Sequence, residues 1–328
     1  MKSIRLSIFL TILCHQATAQ GNFTSLFEYF SQQEVLEVTL ETDFSAIQAD
    51  KSNEAYQAAR FTFKDHNDEE IQYDIKVRQR GKYRRRVCEM PPLKLNFDKD
   101  DLEAKGLADF DKMKLVTYCL DQPSTRNTIV REYLAYQLYN ELTPYSYRTQ
   151  LVKITYVDAT NPKNKVKHFG FLIESTRELS DRIKGTEVET FNVDYADFNP
   201  KQEALASTFQ YMIGNEDWST ATMRNVKIIR PNDGGKLIPI PYDFDFSGMV
   251  DASYAIPNMD LGLASVKERA FMGYKEDPKS LEIMRSYLER KRDDLYVIIN
   301  KCKYISRADR YEIIQYLDTY YEAPATVE

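Results

Sequence analysis

Histidine and cysteine are scarce in this sequence of 328 residues, which argues against a structural zinc site and against hydrolases that depend on histidine. Beyond the N-terminal segment only His66 and His168 remain, and no Cys-x-x-Cys pair occurs. A structural zinc site therefore lacks ligands. A Ser-His-Asp or Cys-His hydrolase would have to use one of the same two histidines, and His66 lies in a polar stretch that is typical of a turn.

Long apolar runs, internal repeats and low-complexity tracts are also missing. After the N-terminus no stretch approaches the roughly 20 apolar residues that a membrane span needs, so we predict no transmembrane segment. The net charge is −6, which disfavours nucleic acid as a partner. Glycine is limited to 11 residues, and no Gly-x-Gly-x-x-Gly phosphate loop occurs.

The N-terminus has the three parts of a secretory signal. Lys2 and Arg5 provide a positive region, residues 6–14 an apolar run too short to span a bilayer, and residues 17–19 (Ala-Thr-Ala) a cleavage pattern. A buried first helix would not need these parts in this order. We therefore predict a signal peptide over residues 1–19 and a secreted or periplasmic protein that begins near Gln20.

Periodicity divides the remaining chain into a strand-rich and a helical part. Alternating apolar residues predict strands over 34–40, 58–64, 71–78, 92–97 and 114–118, and a hairpin over 151–157 and 165–174. A helix over 124–142 interrupts them. Further on, Asn199-Pro200 and Gly214 delimit a second helix, strands follow over 226–229 and 237–240, and Asp277-Pro278 and Ser306 begin two terminal helices. This order predicts an α+β fold with two lobes and a cleft between them.

Oxygen-bearing side chains surround the predicted hairpin of the second half. Asp217 follows a helix, Asn225 begins a strand, and Asp243 and Asp245 end the returning strand. Phosphoryl transfer from a nucleotide needs such a set, because oxygen ligands hold Mg²⁺ against the phosphates and a separate carboxylate orients the acceptor hydroxyl. The alternative is that Asp217 caps a turn and the other two decorate a strand end.

Several further short segments form a pattern along the chain. They are Arg80-Gly81, residues 91–95 (Pro-Pro-Leu-Lys-Leu), Arg126-Asn127, residues 170–174 (Gly-Phe-Leu-Ile-Glu), residues 215–217 and residues 241–245 (Pro-Tyr-Asp-Phe-Asp). With them, the chain from about residue 35 to residue 248 resembles the CotH family of atypical kinases, most closely an exported bacterial branch.

The resemblance implies a two-lobed, atypical protein-kinase-like fold. Residues 20–175 would form a strand-rich N-lobe with one inserted helix, and residues 176–328 a mainly helical C-lobe that carries the catalytic and metal loops. It also implies ATP as substrate, Mg²⁺ or Mn²⁺ as cofactor, and a hydroxyl acceptor on a protein or glycan.

The same resemblance assigns roles to single residues. Asp217 takes the place of the catalytic aspartate. Lys94 would contact phosphate and pair with Glu132, and Glu174 would lie beside the adenine. The remaining assignments are phosphate contacts by Arg80 and Gly81, and metal ligation by Asn225, Asp243 and Asp245.

Two other functions use the same residues. Asp243-Phe244-Asp245 is also the metal-binding Asp-x-Asp pattern of nucleotide-sugar glycosyltransferases, but the strands of the first half do not alternate with helices as in those enzymes. A non-catalytic binding module on the same fold is the third possibility. For either kinase or module, export favours a disulfide between Cys88 and Cys119 at the margins of N-lobe strands, with Cys302 left reduced.

Overall fold

The alternating segments of the first half form seven strands that close into a barrel in the order β1-β2-β3-β4-β5-β7-β6. The computed structural model describes residues 24–52, 54–122 and 127–323, so the predicted signal peptide, Ser124 and Arg126 lie outside it. The sequence predicts these strands but not the closure of the barrel. The strands are β1 (Leu36–Thr42), β2 (Gln57–Lys64), β3 (Glu70–Gln79), β4 (Leu93–Asn96), β5 (Lys112–Val116), β6 (Thr149–Asp158) and β7 (Asn161–Ile173).

The barrel closes through one parallel pairing. Leu36 of β1 lies opposite Val152 of β6, whereas all other neighbouring strands in the barrel are antiparallel. Period two places every second side chain inside. The interior is therefore apolar and rich in aromatic rings, and the short helix α1 (Leu26–Phe30) contributes to it. The aromatic rings of this core include Phe30, Phe61, Phe63 and Phe97.

A disulfide fixes the segment between β3 and β4. This segment carries the short helix α3 (Arg84–Val87), which ends at Cys88, and Cys88 is bonded to Cys119 with the Cα atoms 4.4 Å apart. The predicted pairing is confirmed, and Cys302 is free and half-buried. Disulfides are typical of proteins in oxidising compartments. The other short helices of the barrel part are α2 (Phe44–Ala49) and α4 (Lys99–Ala104).

Local capping signals set the ends of the longer helices. The side chain of Asn199 accepts hydrogen bonds from the backbone at the start of α7, and Gly214 ends that helix with a φ of 64°. Ser306 and Asp309 form the capping box that begins α9. The helix α6 lies in a part of the chain to which the sequence analysis assigns no helix or strand. These helices are α5 (Thr128–Leu142), α6 (Thr176–Arg182), α7 (Pro200–Ile213), α8 (Pro278–Lys301) and α9 (Arg307–Glu322).

A small antiparallel sheet completes the second half. Its strands, in the order β10-β9-β8, are β8 (Gly185–Glu187), β9 (Val226–Pro231) and β10 (Ile238–Pro241). The helix α5 shares its hydrophobic core with α7, α8 and α9, although it comes between barrel strands in the sequence. The fold is thus a mixture of strands and helices with one core inside the barrel and another around α5. Within the described ranges, no helix is both long enough and apolar enough to cross a bilayer.

Candidate active site

The β9–β10 hairpin brings four predicted site residues to one place. Asn225 precedes β9 and Tyr242 follows β10, and the Tyr242 amide donates a hydrogen bond of 3.0 Å to the Asn225 carbonyl oxygen. Asn225 and Asp243 both have a positive φ, at 52° and 66°. Asn and Asp tolerate this conformation better than most residues. The two chain segments that carry oxygen ligands therefore run side by side.

These residues line a cavity of about 840 Å³. Its lining includes the segment after β3, with Arg80 and Gly81, and the loops of the hairpin. Six of the predicted residues are in its wall: Arg80, Gly81, Asp217, Asn225, Asp243 and Asp245. Lys94, Glu132 and Glu174 are described residues that do not line it.

Three carboxylates from distant parts of the chain meet beside this cavity. Glu132 on α5, Asp243 and Asp245 each place an oxygen within 4.8 Å of the others, and we call this group the acidic cluster. Glu132 is fully buried, and neither of its oxygens has a hydrogen-bond partner among the described residues. Buried oxygens without partners are costly. Since hard divalent cations prefer carboxylate oxygens, the residues present fit Mg²⁺ or Mn²⁺.

The environment of the acidic cluster disfavours negative charge. Burial, followed by the neighbouring Asp243 charge, raises the pKa of Asp245 to about 7. Burial, and then the charge of Asp245, raises the pKa of Glu132 well above its usual range. Tyr254 donates a hydrogen bond of 2.9 Å to Asp245, and the Asp243 amide donates one of 2.8 Å to the Tyr136 hydroxyl. A cation in the acidic cluster would therefore offset a real electrostatic cost.

Arg84 replaces Lys94 as the ion-pair partner of Glu132, which corrects the predicted pair. The Arg84 Nη1 atom lies 3.5 Å from a Glu132 oxygen and 4.0 Å from an Asp245 oxygen. Lys94 faces its cross-strand neighbours Arg78 and Lys114 in the register of the barrel and pairs with no carboxylate of the acidic cluster. The sequence places Arg84 in a run of basic residues, where nothing distinguishes a buried arginine from its exposed neighbours.

Lys114 is a residue near the site that the sequence does not reveal. Its Nζ atom is buried, lies 4.3 Å from the centre of the Tyr242 ring and 4.8 Å from that of Tyr147, and has no hydrogen-bond partner in the described chain. Burial, and then the positive charge of Arg80, lowers the pKa of Lys114 to about 7. In a strand that alternates apolar and polar residues, the sequence does not distinguish Lys114 from an exposed lysine.

Asp217 lies in the cavity wall but is not free of partners. Its carboxylate accepts a hydrogen bond of 2.8 Å from the Asn225 side chain and forms an ion pair with Arg224. Burial raises the pKa of Asp217 to about 6, although the charge of Arg224 opposes the rise. The next residue, Trp218, is buried and packs its loop against the core. The raised pKa of Asp217 brings its proton binding closer to neutral pH than that of an exposed aspartate.

Glu174, which is predicted to lie beside an adenine, is held by two arginines. Its fully buried carboxylate accepts hydrogen bonds from Arg148 at 2.8 Å and Arg182 at 2.6 Å, and a third from the Arg148 amide. Arg148 also bonds Glu178 on α6. We call these four residues the arginine-bound cluster. Because its oxygens are already occupied, Glu174 acts as a structural anchor between β7 and α6.

Comparison with known proteins gives little beyond the geometry. No protein-family model and no curated protein matches the chain. Among solved structures, it is similar to the crystal structure of a Helicobacter pylori proinflammatory kinase, CtkA, at 12% identity and a TM-score of 0.40, over 71% of this chain and 92% of that chain. At this TM-score the likeness supports no conclusion about fold or function. Any conclusion about function therefore rests on the geometry of the site.

Proposed function

We propose that the protein is an exported, Mg-ATP-dependent phosphotransferase that acts on a hydroxyl group of a protein or glycan. The observation that carries the proposal is the shared cavity: a carboxylate that stands apart, Asp217, faces the same space as the metal-type oxygens of Asp243 and Asp245. Arg80 and Lys82 line the same cavity, where they suit phosphate.

Each group has a chemical task in this proposal. Asp243, Asp245 and Asn225 would hold Mg²⁺ or Mn²⁺, with Glu132 as a further buried oxygen, and the cation when bound neutralises charge on the phosphates. Asp217 accepts the proton of the acceptor hydroxyl. The hydroxyl oxygen bonds to the γ-phosphorus, the bond between this phosphorus and the oxygen of the β-phosphate breaks, and ADP departs. A pKa of about 6 suits Asp217 for this role.

The finer features of the fold belong to the same proposal. The barrel with α5 would be the N-lobe, over residues 20–175, and residues 176–328 the C-lobe, with the cavity as the cleft. Arg80 and Gly81 would contact phosphate. Lys94 stays a predicted phosphate contact, and Lys114 is a second candidate because its Nζ atom lies 4.3 Å from the ring centre of Tyr242, which follows β10. Export is supported by the N-terminal pattern and by the disulfide.

One observation favours a non-catalytic binding module instead. The carboxylate of Asp217 is held by Arg224 and Asn225, as a purely structural residue would be. In that case Asp217→Ala would cost about 1 kcal/mol of stability, as the loss of a capping residue does, and would change no activity.

Ligand-induced thermal stabilisation separates these functions. We expect Mg-ATP at about 100 times its dissociation constant to stabilise the protein by about 2.7 kcal/mol. Asp243→Ala should abolish this shift. Asp217→Ala should keep the shift but lose phosphate transfer by roughly 10²-fold or more, because it acts only in the transition state. Asp233→Ala, in the exposed turn between β9 and β10, is the matched control.

Two outcomes would contradict the kinase. Stabilisation by a UDP-sugar with Mn²⁺, and not by Mg-ATP, would favour the glycosyltransferase. Unchanged Mg-ATP affinity in Asp243→Ala would remove the assigned metal site.

A further inference from the structure

The acidic cluster holds a cation of its own, the guanidinium group of Arg84. Arg84 is 6% exposed and Glu132 fully buried, so this contact is shielded from water. In the described part of the chain, Arg84 is the basic residue that forms ion pairs with the acidic cluster, to Glu132 and to Asp245. Arg80 lines the same cavity but forms no ion pair with these carboxylates.

Contacts on three sides keep this guanidinium in place. Its Nη2 atom donates a hydrogen bond of 2.5 Å to the Thr117 carbonyl oxygen, and the ring of Tyr254 lies 5.6 Å from its central carbon. The disulfide holds the same two segments together, since Cys88 ends α3 and Cys119 lies two residues after Thr117. Arg84 therefore cannot swing into solvent as a surface arginine does.

The charges in direct contact within the acidic cluster balance for a divalent ion. With a metal ion bound in place of their protons, the three carboxylates carry three negative charges, and Arg84, the basic residue at ion-pair distance from them, supplies one positive charge. A buried site with net charge is unfavourable, so the remaining two charges call for one divalent cation. We propose that Arg84 is a specificity-determining residue, which matches the acidic cluster to a single divalent cation and selects against trivalent ions.

This inference rests on the metal site of the proposed function and is independent of phosphate transfer. A trivalent ion is repelled by Arg84 more strongly than a divalent one, because Coulomb energy scales with charge. Removing the arginine should therefore favour Tb³⁺ over Mn²⁺. If Arg84 had only a structural role, its removal would change the affinities for Tb³⁺ and Mn²⁺ in parallel and leave their ratio unchanged.

Binding of Tb³⁺ and Mn²⁺ to the purified protein tests the proposal. Tyr254 and Tyr136 contact the acidic cluster and can sensitise Tb³⁺ luminescence, and Mn²⁺ competes for the signal. We expect Arg84→Met to raise the preference for Tb³⁺ over Mn²⁺ by roughly ten- to a hundredfold. Arg84→Lys, which keeps the charge, should stay near the parent ratio. Arg86→Met, an exposed position on the same helix, is the matched control.

A double variant tests the charge balance directly. Glu132→Gln alone should lower the Tb³⁺ preference, and Arg84→Met/Glu132→Gln, in which the charges balance again, should return to the parent ratio. The double variant also serves if Arg84→Met does not fold. An unchanged ratio in Arg84→Met, or a double variant that matches Glu132→Gln, would overturn the proposal. A parent protein that binds neither ion would instead contradict the proposed metal site, and this inference with it.

Discussion

Glu174 and Glu132 are both fully buried glutamates, yet their surroundings differ. In the arginine-bound cluster, every oxygen of Glu174 accepts hydrogen bonds from Arg148 or Arg182. In the acidic cluster, Glu132 faces two other carboxylates and one arginine, and its oxygens accept no hydrogen bond from the described residues. A satisfied buried charge stabilises a fold, whereas an unsatisfied one is retained at a cost. The difference separates a structural carboxylate from one suited to a ligand.

The largest expected effect comes from the disulfide that anchors the Arg84 segment. Replacing Cys88 and Cys119 together by serine should lower the free energy of unfolding by about 3 to 4 kcal/mol in the chain-entropy model. Urea denaturation measures this loss, and Cys302→Ser, at the free cysteine, is the control. Metal binding at the acidic cluster should weaken as well. A double variant as stable as the parent would contradict this prediction, and unchanged metal binding would show that the acidic cluster does not depend on the disulfide.

Removing the structural carboxylate is the next test. Glu174→Ala leaves Arg148 and Arg182 without their partner and should cost about 3 kcal/mol, near the lower end for broken buried pairs because both arginines are about a quarter exposed. Glu37→Ala breaks an exposed pair with Lys153 and should cost less than about 1 kcal/mol. Similar losses in the two variants, measured in urea, would remove the distinction between buried and exposed pairs.

The arginine-bound cluster should also respond to pH. Burial raises the pKa of Glu178 from 4.5 to about 7, although Arg148 and Ser25 oppose the rise. The folded protein then holds this proton more tightly than the unfolded chain, so the associated stability is present below pH 4.5 and is lost as the pH rises through 7. Glutamine mimics the protonated acid. The free energy of unfolding of Glu178→Gln, relative to that of the parent, should therefore rise by on the order of 2 kcal/mol from pH 5 to pH 8. A difference independent of pH would contradict this assignment.

The smallest change in stability is expected at Glu132. Without metal, Glu132→Gln should change the free energy of unfolding by less than about 1 kcal/mol. Its oxygens lose no hydrogen bond, and because burial and the charge of Asp245 raise the pKa of Glu132 well above its usual range, glutamine resembles the protonated acid and little of the ion pair with Arg84 is lost. With saturating Mn²⁺ the parent should gain more stability than the variant, and denaturation with and without Mn²⁺ measures both. A loss as large as that of Glu174→Ala would make Glu132 structural and end the contrast between the clusters.

The elements that the sequence predicts best are those with local signals. Asn199, Pro200 and Gly214 delimit α7 because capping depends on a few neighbouring residues. The strands follow from alternation in the same way. The parallel pairing of β1 with β6 has no local signal, since it joins segments far apart in the sequence, and barrel closure could not be predicted.

The residues of the candidate site also differ in whether a local sequence signal reveals them. Asp217, Asn225, Asp243 and Asp245 flank one hairpin, and the turn brings them together as predicted. Glu132 and Arg84 reach Asp245 from α5 and α3, and only the packing of the folded chain decides that Arg84, not Lys94, meets Glu132. Their catalytic and binding roles stay predictions.

The parallel closure of the barrel also has a consequence for the order of folding. Residues 36–42 of β1 find their partners on β6 only after residues 149–158 are available. A chain that emerges from its N-terminus therefore carries β1 with one unpaired edge over that interval, and unpaired edges recruit other strands. Contacts so distant in sequence also slow folding. While the chain folds, this edge is therefore a site of aggregation until β6 covers it.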